Sequence, residues 1–402
     1  MNLLIYSHAF APSIGGVETY VRCLADGLLQ YQAQYDRQPP SVITLVTNTP
    51  ADTMHDNQFR FRVVRKPSRR QLWHLVFNAD VLHIAGPAAL PMWFAILARK
   101  PFVVEHDGYQ SNCPNGLLLQ SDGSVCPEHF ARRRYGECIR CNNKREYRLM
   151  SALQLLRTWP RRWLCTRASA NVSGTQHVLN RIKLPREQML PHGIAPAGGT
   201  VKGGMPVLPE EPREGIPVFA FIGRMVTEKG IRVLLEAAAN LKREGWCFRL
   251  RLIGGGPERS PMEVFAVKIG LNSWVEWCGP LSGQPLQSAL RDVAAVVMPS
   301  IWEEAAPLMV LEQMMAGRLL IVSDQGGQAE EVGDTGLRFT PGDALSLAER
   351  MQEVLRQPET AKELGAMARA RALQLYTQDG MVRGHLKLYR KLINDPTPVN
   401  CS

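Results

Sequence analysis

The chain has 402 residues, 45% of them hydrophobic and 21% charged, which is typical of a globular protein with two or three domains. Its net charge of +10 favours an anionic partner such as a nucleotide, a phospholipid surface or a nucleic acid. Nine cysteines follow an N-terminus without the features of a signal peptide, which argues against a disulfide framework. Residues 81–98 are the most apolar stretch, but they contain His83 and two prolines, so a transmembrane helix is not predicted.

The first half of the chain alternates apolar segments with helical periodicity. Gly15 and Gly16 form a loop after the first apolar segment, and apolar residues then recur at helical spacing from Val17 onward. The apolar segments lack the alternation of a one-sided sheet, so they are predicted as strands of a parallel sheet covered on both faces. They begin at Asn2, Ser41, Val81, Pro101, Ala168 and Gln188.

The second half repeats the strand–helix alternation after a Gly- and Pro-rich segment, residues 195–217, that lacks periodicity and is predicted as a linker. The predicted fold class is therefore α/β, with two doubly wound Rossmann-like domains at residues 1–194 and 218–378. A final helix within residues 379–402 is predicted to pack back on the first domain. Ligands are expected at the carboxyl ends of the strands, in a cleft that both domains face.

An anion site is predicted where an apolar helix begins near Pro307. Proline suits the first helical position, and the N–H groups of Leu308 and Met309 would point out of the helix start. Glu304 lies just before this helix and Glu312 lies inside it, where carboxylates can bind sugar hydroxyls. The alternative is a capping role for Glu304 and a solvated position for Glu312.

Two cations follow the first strand of the second domain. Arg224 and Lys229 are placed to hold a diphosphate and to stabilise charge on a departing phosphate. The alternative is that both are ordinary loop cations. Gly255, in a glycine triplet after the next strand, would let the backbone approach a ligand closely, although a glycine triplet alone is a weak signal.

Together these segments closely resemble the retaining glycosyltransferases of family 4, which have the GT-B fold. The family's Gly-Arg-x4-Lys-Gly segment corresponds to Gly223 through Gly230, and its Glu-x7-Glu segment corresponds to Glu304 through Glu312. The resemblance covers nearly the whole chain and is strongest from residue 218 to residue 336. It implies that Arg224 and Lys229 hold the donor diphosphate, that Glu304 positions the donor sugar and that Glu312 binds the ribose. It also implies that the backbone from Pro307 to Met309, with Gly223 and Gly255, meets the donor.

In the first domain the resemblance implies that Gly15 and Gly16 approach the diphosphate and the acceptor. It places His106 beside the donor sugar, although a histidine at a strand end is also a common structural residue. His192 and Ala195 replace the Asn and Asp of the family's hinge segment, a departure that concerns the hinge contacts rather than the phosphate site.

The function implied is that of a hexosyltransferase-type enzyme that moves a sugar, with retention, from a nucleoside-diphosphate sugar to a glycan or lipid-linked acceptor. The sequence lacks an Asp-x-Asp motif, so no cofactor is expected for catalysis. The resemblance implies front-side attack, with a phosphate oxygen taking the acceptor's proton. The expected role is assembly of a bacterial-type surface polysaccharide or lipopolysaccharide, in the cytoplasm and peripherally on the inner face of the membrane. The alternatives are a catalytically silent GT-B assembly partner, a GT-B sugar-nucleotide epimerase and a basic nucleic-acid binder, although no nucleic-acid-binding motif is present.

Two features lie in an insert at about residues 108–167. Four cysteines, including one Cys-x2-Cys pair, are candidates for a four-thiolate structural zinc site, with free thiols or a redox-sensitive pair as the alternatives; they are Cys113, Cys126, Cys138 and Cys141. A subset of the family has a similar insert. Four other cysteines are interpreted as small core residues: Cys23, Cys165, Cys247 and Cys278.

Residues 132–167 carry eleven Lys and Arg against two Glu, close to the whole chain's excess of positive charge. Trp159 and Trp163 lie among these cations, a combination that suits an anionic membrane surface. The alternative is a solvated basic face.

Overall fold

The computed structural model describes residues 1–13, 15–35, 42–51, 56–141, 148–195 and 215–394. It divides into two compact units, Met1–Gly193 with Gln378–Ser402 and Ile194–Thr377. Most of the predicted linker, residues 196–214, lies outside the described residues, as do Lys144 and Arg145 of the basic segment.

The first unit is built on a seven-stranded parallel sheet in the order β3-β2-β1-β4-β5-β6-β7. Its strands are β1 (Asn2–Ser7), β2 (Val42–Thr47), β3 (Arg62–Arg65), β4 (Val81–Ala85), β5 (Phe102–Glu105), β6 (Ala170–Ser173) and β7 (Glu187–Met189). Its helices are α1 (Gly16–Tyr35), α2 (Arg69–Asn78), α3 (Ala89–Leu97), α4 (Tyr135–Cys141), α5 (Arg148–Thr166) and α6 (Gln176–Ile182). The strand order reverses between β1 and β4, so the loops after these two strands diverge and leave a crevice there.

The second unit contains a six-stranded parallel sheet in the order β10-β9-β8-β11-β12-β13, with its switch point between β8 and β11. Its strands are β8 (Val218–Ile222), β9 (Arg249–Ile253), β10 (Val275–Gly279), β11 (Val293–Met298), β12 (Leu319–Ser323) and β13 (Leu337–Phe339). Its helices are α7 (Ile231–Arg243), α8 (Arg259–Lys268), α9 (Gly283–Ala289), α10 (Leu308–Met315), α11 (Gly326–Val332), α12 (Ala344–Arg356) and α13 (Pro358–Leu375).

The core of the second unit forms because its strands are apolar throughout while its helices are amphipathic. All five residues of β8 and of β12 are buried, as expected for a sheet covered on both faces. Helix α7 buries Leu234, Leu235 and Leu241 at helical spacing against this sheet. Burying each such leucine fully contributes roughly 1.5–3 kcal/mol.

The last helix, α14 (Gln378–Asn394), belongs to the first unit and packs on α1 and β4. Gln378 Nε2 donates to the Cys23 carbonyl at 2.7 Å, and the Tyr389 hydroxyl lies 2.9 Å from His83 Nδ1. A Cβ at Gly27 would lie 2.7 Å from Val382 Cγ2, so the glycine permits the close approach of the two helices.

The apolar residues 81–98 are divided between strand β4 and helix α3 by the Gly86–Pro87 turn. Among the helices of the described ranges, none combines the length and the apolar character that a membrane crossing would need.

Glycines lock the loops after β8, β9 and β11 against one another. Gly230 adopts φ +67°, and a Cβ there would lie 1.9 Å from the Pro299 carbonyl oxygen, while Ile301 N donates to the Glu228 carbonyl at 3.0 Å. A Cβ at Gly254 would lie 1.8 Å from the Gly223 carbonyl oxygen. Because only glycine allows these backbone contacts, the three loops meet at the carboxyl edge of the sheet.

Replacing Gly230 with alanine should destabilise the second unit by on the order of 3–5 kcal/mol, because the methyl group collides with backbone that cannot move away. Gly245→Ala is the matched control, since Gly245 has φ +84° with open space around its Cβ position. The control should lose only about 1–2 kcal/mol, the cost of a left-handed alanine. Urea unfolding of the full chain measures both, and equal losses would contradict the close-contact explanation.

Candidate functional site

The carboxyl ends of β8 and β11 bring together a lysine, a carboxylate and a hydroxyl. Lys229 Nζ donates to Glu304 Oε1 at 2.5 Å, and Ser300 Oγ donates to the same oxygen at 2.6 Å. Glu304 is 4% exposed, whereas the Lys229 side chain is 16% exposed. This cluster lies at the switch point of the sheet, where open α/β sheets bind their ligands.

The backbone of Glu304 is held by a glycine pair at the start of α11, after β12. Gly327 N donates to the Glu304 carbonyl at 2.6 Å, and a Cβ at Gly326, φ +67°, would lie 2.6 Å from Glu304 N. Gln325 Nε2 donates to the Ser300 carbonyl at 3.0 Å. None of these three residues was among the predicted site residues, although a Gln-Gly-Gly turn after a predicted strand indicates close backbone approach.

A second buried acid lies beneath the site. Glu331 of α11 is 2% exposed, and its Oε2 has no hydrogen-bond partner among the described residues. Burial raises the pKa of Glu331 well above its ordinary value, and the nearby charges of Glu330 and Glu304 raise it further. The structure thus places a second buried carboxyl group close to the Lys229–Glu304 pair.

Arg224 lies at the same edge but points to solvent. It is exposed, and the structure gives it no ion pair within the described ranges. Gly223 and Gly255 are half-buried beside it, and the Gly255 carbonyl accepts from Met225 N at 2.8 Å. Of the glycine triplet, Gly254 and Gly256 make the close backbone approaches, whereas a Cβ at Gly255 would meet nothing nearer than 3.8 Å. In this loop the steric need for glycine therefore falls on Gly254 and Gly256, and the predicted role of Gly255 stays a prediction.

The helix start near Pro307 differs from the prediction by one residue. Helix α10 begins at Leu308, so Pro307 is the N-cap residue, with its carbonyl accepting from Val310 N at 2.9 Å. Leu308 is buried and Met309 is half-buried. Glu312 is half-buried on α10 between the buried Leu311 and Gln313, so its side chain keeps a partly exposed position one turn into the helix.

In the first unit, Gly15 and Gly16 lie at the start of α1, beyond the end of β1. A Cβ at Gly16 would have nothing within 4 Å, and a Cβ at Gly15 would meet only the Glu18 carboxylate, whose nearest oxygen is 2.4 Å away. The Ser13 hydroxyl donates to Glu18 Oε1 at 3.0 Å, which holds that carboxylate in the loop. The surface at this helix start is therefore open backbone.

His106, after β5, is fully buried. Its Nε2 lies 3.0 Å from Asn171 Oδ1, and its Nδ1 has no partner among the described residues. Burial lowers the pKa of His106, although the Asn171 bond opposes the shift, so the imidazole is neutral at ordinary pH. Its predicted place beside the donor sugar stays a prediction, because this conformation gives the ring no exposed surface.

The next residue, Asp107, is a titratable group with partial exposure, which His106 lacks. Its side chain is 12% exposed, and its Oδ2 has no hydrogen-bond partner among the described residues. Burial raises the pKa of Asp107 to about 7, with the charge of His192 opposing the rise and that of Glu105 adding to it. The sequence assigned a role in this segment only to the histidine, and no sequence signal distinguished Asp107.

Asp107 belongs to a buried network centred on Glu105. His192 Nε2 donates to Glu105 Oε1 at 3.2 Å and lies 3.4 Å from Asp107 Oδ1. On the other side, the Tyr20 hydroxyl donates to Glu105 Oε2 at 3.0 Å and lies 3.0 Å from His385 Nε2. His192 thus provides a hydrogen-bond partner for a wholly buried glutamate.

Protonation in this network follows from its contacts. Burial alone would raise the pKa of Glu105, but hydrogen bonds from His192 and His385 hold it well below its ordinary value. Burial alone would lower the pKa of His192, but the Glu105 bond and the Asp107 charge raise it. Two donor triads here lie within 4.8 Å, His83–Glu105–His385 and Glu105–Asp107–His192, but most of their donors already bind one another.

The four predicted metal ligands of the insert line one small cavity. Cys113, Cys126 and Cys138 are buried and Cys141 is half-buried, and all four are free thiols. Among the described residues the sulfurs are more widely spaced than the two triads of the Glu105 network. Of the cysteines interpreted as core residues, Cys23 and Cys165 are buried, as predicted, but Cys278 is half-buried and Cys247 is exposed.

The structure corrects part of the basic surface predicted at residues 132–167. Arg161 Nη1 donates to the Gln110 carbonyl at 3.1 Å, and Arg162 Nη1 donates to the Ile182 carbonyl at 2.9 Å and to Asn112 Oδ1. Burial lowers the pKa of both guanidinium groups. These two arginines stabilise the fold, because they donate to backbone carbonyls packed against α5. Five other arginines of the segment are exposed: Arg132, Arg133, Arg134, Arg140 and Arg157.

Replacing Glu105 with glutamine should cost about 3–5 kcal/mol, since it leaves a buried histidine without its counter-charge. The lowered pKa of Glu105 means that its stabilisation is present above 4.5 and is lost as the pH falls. The raised pKa of His192 means that its stabilisation is present below 6.5 and is lost as the pH rises through the folded value. The difference between wild type and Glu105→Gln should therefore be greatest between these values.

Urea unfolding inside and on both sides of this pH window measures that difference. Glu137→Gln is the control, because Glu137 pairs only with an exposed Arg140 and its loss should change stability by less than about 1 kcal/mol. A Glu105→Gln effect that does not change with pH would contradict the ionic description of the network.

Comparison with known proteins agrees with this fold. Residues 209–371, less than half of the chain, match the family model described as "Glycosyl transferases group 1". The 2-deoxystreptamine glucosyltransferase of Streptomyces kanamyceticus is 33% identical over 149 residues, 37% of this chain and 38% of that protein. The D-rhamnosyltransferase WbpZ of Pseudomonas aeruginosa is 27% identical over 214 residues, 52% of this chain and 54% of that protein. The chain thus spans about half or less of the length of these relatives.

The similarity in structure extends over the whole chain. The crystal structure of Anabaena Alr3699/HepE in complex with UDP matches with a TM-score of 0.70 and 15% identity, covering 98% of this chain and 100% of that one. The two parallel sheets with their helices, together with this structural match, confirm the predicted fold class: the chain has the α/β GT-B fold.

Proposed function

We propose that the protein is a retaining hexosyltransferase that moves a sugar from a nucleoside-diphosphate sugar to a glycan or a lipid-linked acceptor in the assembly of a cell-surface polysaccharide or lipopolysaccharide. The observation that carries the proposal is the Lys229–Glu304–Ser300 cluster at the switch point of the second sheet. The family match of residues 209–371 contains this cluster and Arg224, which supports the assignment.

The charges of the site suit a donor diphosphate. Exposed Arg224 and the partly exposed Lys229 provide two cations at one sheet edge, and the first N–H groups of α10 provide further donors for phosphate oxygens. As the sugar–phosphate bond breaks, negative charge gathers on the leaving diphosphate, and these groups stabilise it without a metal ion. Catalysis therefore requires no cofactor.

The carboxylates of the site suit the sugar and the ribose. Glu304 is held rigidly by Ser300 and by the backbone of Gly327, so it can accept a hydrogen bond from a donor-sugar hydroxyl in a fixed direction. Glu312, half-buried on α10, is left to accept from the ribose hydroxyls. With a phosphate oxygen as the proton acceptor, a front-side reaction needs no side-chain base, which fits a site whose nearest carboxylate is paired with lysine.

Replacing Lys229 with alanine should lower kcat/KM for sugar transfer by about 10²-fold or more, since the leaving diphosphate loses its closest cation. Binding and slow hydrolysis of UDP-, GDP-, ADP- and dTDP-sugars are measured, the binding by thermal shift. One of these donors should stabilise wild type and should not stabilise Lys229→Ala. Lys268→Ala, at an exposed lysine on α8, is the matched control and should behave as wild type.

Two results would overturn the proposal. The absence of any shift or hydrolysis with every donor, in protein that still binds lipid vesicles, would favour the catalytically silent GT-B partner. Conversion of the donor to its epimer without transfer would favour the epimerase.

We also propose that the protein acts peripherally on the inner face of the cytoplasmic membrane, through a surface that we call the aromatic face. It combines exposed side chains of two packed helices, Leu90, Trp93 and Leu97 of α3 with Leu149, Leu153, Leu156, Trp159 and Trp163 of α5. The rings of Trp93 and Trp163 lie 6.1 Å apart, which joins the two stripes. Exposed apolar surface of this extent is unusual on a protein without a partner.

The charges around the aromatic face favour an anionic lipid surface as its occupant. The Arg167 guanidinium lies 5.0 Å from the Trp163 ring centroid, and Arg157 is exposed on α5 beside Leu156. Interfacial tryptophans with flanking arginines bind the headgroup region of anionic bilayers. Such a location would bring the enzyme to a lipid-linked acceptor.

The double substitution Leu156→Glu and Trp163→Glu should abolish co-sedimentation with vesicles that contain phosphatidylglycerol, because it removes apolar area and adds repulsive charge. Val264→Glu with Val267→Glu is the matched control, at two exposed apolar residues of α8 in the second unit. Wild type should bind phosphatidylcholine vesicles weakly, and its binding to anionic vesicles should fall with salt. Equal loss of binding in both double variants would contradict the role of the aromatic face.

A further inference from the structure

The four cysteines of the insert come from three separate parts of the chain and face one cavity. Cys113 lies in the loop after β5, Cys126 follows the turn formed by residues 120–124, and Cys138 and Cys141 lie one helical turn apart on α4. Spacing of three residues places the two helical thiols on the same side of α4. Cys126 and Cys141, which follow Cys113 by 13 and 28 positions, therefore line the same cavity as Cys113. The Cys-x2-Cys pair on α4 is a spacing found in structural metal sites.

The loop at Cys113 is shaped to support a thiolate. Gly116 N donates to the Cys113 carbonyl at 3.0 Å, and the turn includes Gly116 at φ +77° and Leu118 at φ +52°. This backbone turns the N–H groups of Asn115, Gly116 and Leu118 toward the sulfur, where they favour its charged form. Burial still raises the pKa of the Cys113 thiol overall, because these donors do not offset the loss of solvent.

A small hydrophobic cluster of the insert includes one of the four cysteines. Phe130, Cys138 and Leu155 are its buried residues, and Tyr135 and Ile139 pack against it.

We propose that Cys113, Cys126, Cys138 and Cys141 bind one Zn²⁺ as a structural tetrathiolate site. Four sulfur ligands without a coordinated water make a closed site with no catalytic position. Ligation requires the thiols to approach one another more closely than they do in this structure. His129 lines the same cavity, with Nε2 3.0 Å from Gln120 Oε1 and Nδ1 unpartnered among the described residues.

The site connects to the proposed function through the loop that carries it. Asn112, next to Cys113, donates from Nδ2 to the Arg181 carbonyl at 2.8 Å, and the loop leaves β5 directly after His106 and Asp107. A zinc ion would therefore fix the position of the segment that begins at the carboxyl edge of the first sheet. Metal loss should loosen this segment without removing any donor-binding residue of the second unit.

Zinc content and thiol ligation test the site on the full chain, purified without added metal and without a polyhistidine tag. Elemental analysis should find one zinc per chain in wild type and less than about a tenth of that in Cys138→Ser and Cys141→Ser. Co²⁺ exchanged into wild type should give the intense sulfur-to-cobalt band and the visible bands of tetrahedral thiolate coordination. Cys23→Ser and Cys247→Ser, at cysteines outside the cavity, are the matched controls and should keep the metal.

Three results would overturn the proposal. The first is reduced, alkylatable thiols at all four positions in wild type with no bound metal, and the second is a disulfide between any two of them. The third is loss of zinc in His129→Ala together with its retention in one of the four cysteine variants, which would replace the tetrathiolate by a three-cysteine, one-histidine site. Because Lys229 and Glu304 are untouched, donor binding measured by thermal shift in the same variants reports the proposed function separately.

Discussion

The ion pair between Lys229 and Glu304 is the interaction on which the candidate site depends. Burying a charged pair costs desolvation energy that attraction alone rarely exceeds, so its value for stability is small. Its geometry nevertheless needs Gly230 against Pro299 and Gly326 against Glu304, with the buried Glu331 carboxyl group nearby. These features all hold a cation and a carboxylate at the switch point, which is the arrangement that a departing diphosphate and a sugar hydroxyl require.

In the first unit, a buried carboxylate likewise depends on contacts with several elements. Glu105 ends a central strand and is wholly buried, so it needs hydrogen bonds from other elements. It receives them from His192 and Tyr20, and His385 Nε2 lies 3.7 Å from its Oε2. His385 lies on α14, which therefore joins the first unit by polar contacts as well as by packing. Asp107, beside this network, keeps an unpartnered oxygen and a pKa near neutrality, and it is the residue of the segment with both exposure and titratable chemistry.

The insert after β5 carries both remaining proposals, and they use opposite sides of it. Arg161 and Arg162 point inward and donate to backbone carbonyls, Arg161 to that of Gln110 in the loop after β5 and Arg162 to that of Ile182 at the end of α6. Trp159 and Trp163, on the same helix, point outward to form part of the aromatic face. Helix α5 can serve both because its period of about 3.6 residues separates neighbouring side chains onto different faces.

The sequence by itself determined the α/β class, most strands, and the residues that meet at the second sheet's edge, because apolar periodicity and glycine spacing are local properties. It missed short elements such as β3, β13 and α11, whose few residues carry little periodicity. It also indicated Gly255 as the glycine that approaches a ligand, whereas the close backbone contacts require glycine at Gly254 and Gly256. It indicated His106 as a site residue, whereas the partly exposed side chain of that segment is Asp107. Only the tertiary structure decided which arginines face inward, which histidines neutralise Glu105 and whether four distant cysteines share a cavity, since each depends on contacts between residues far apart in the chain.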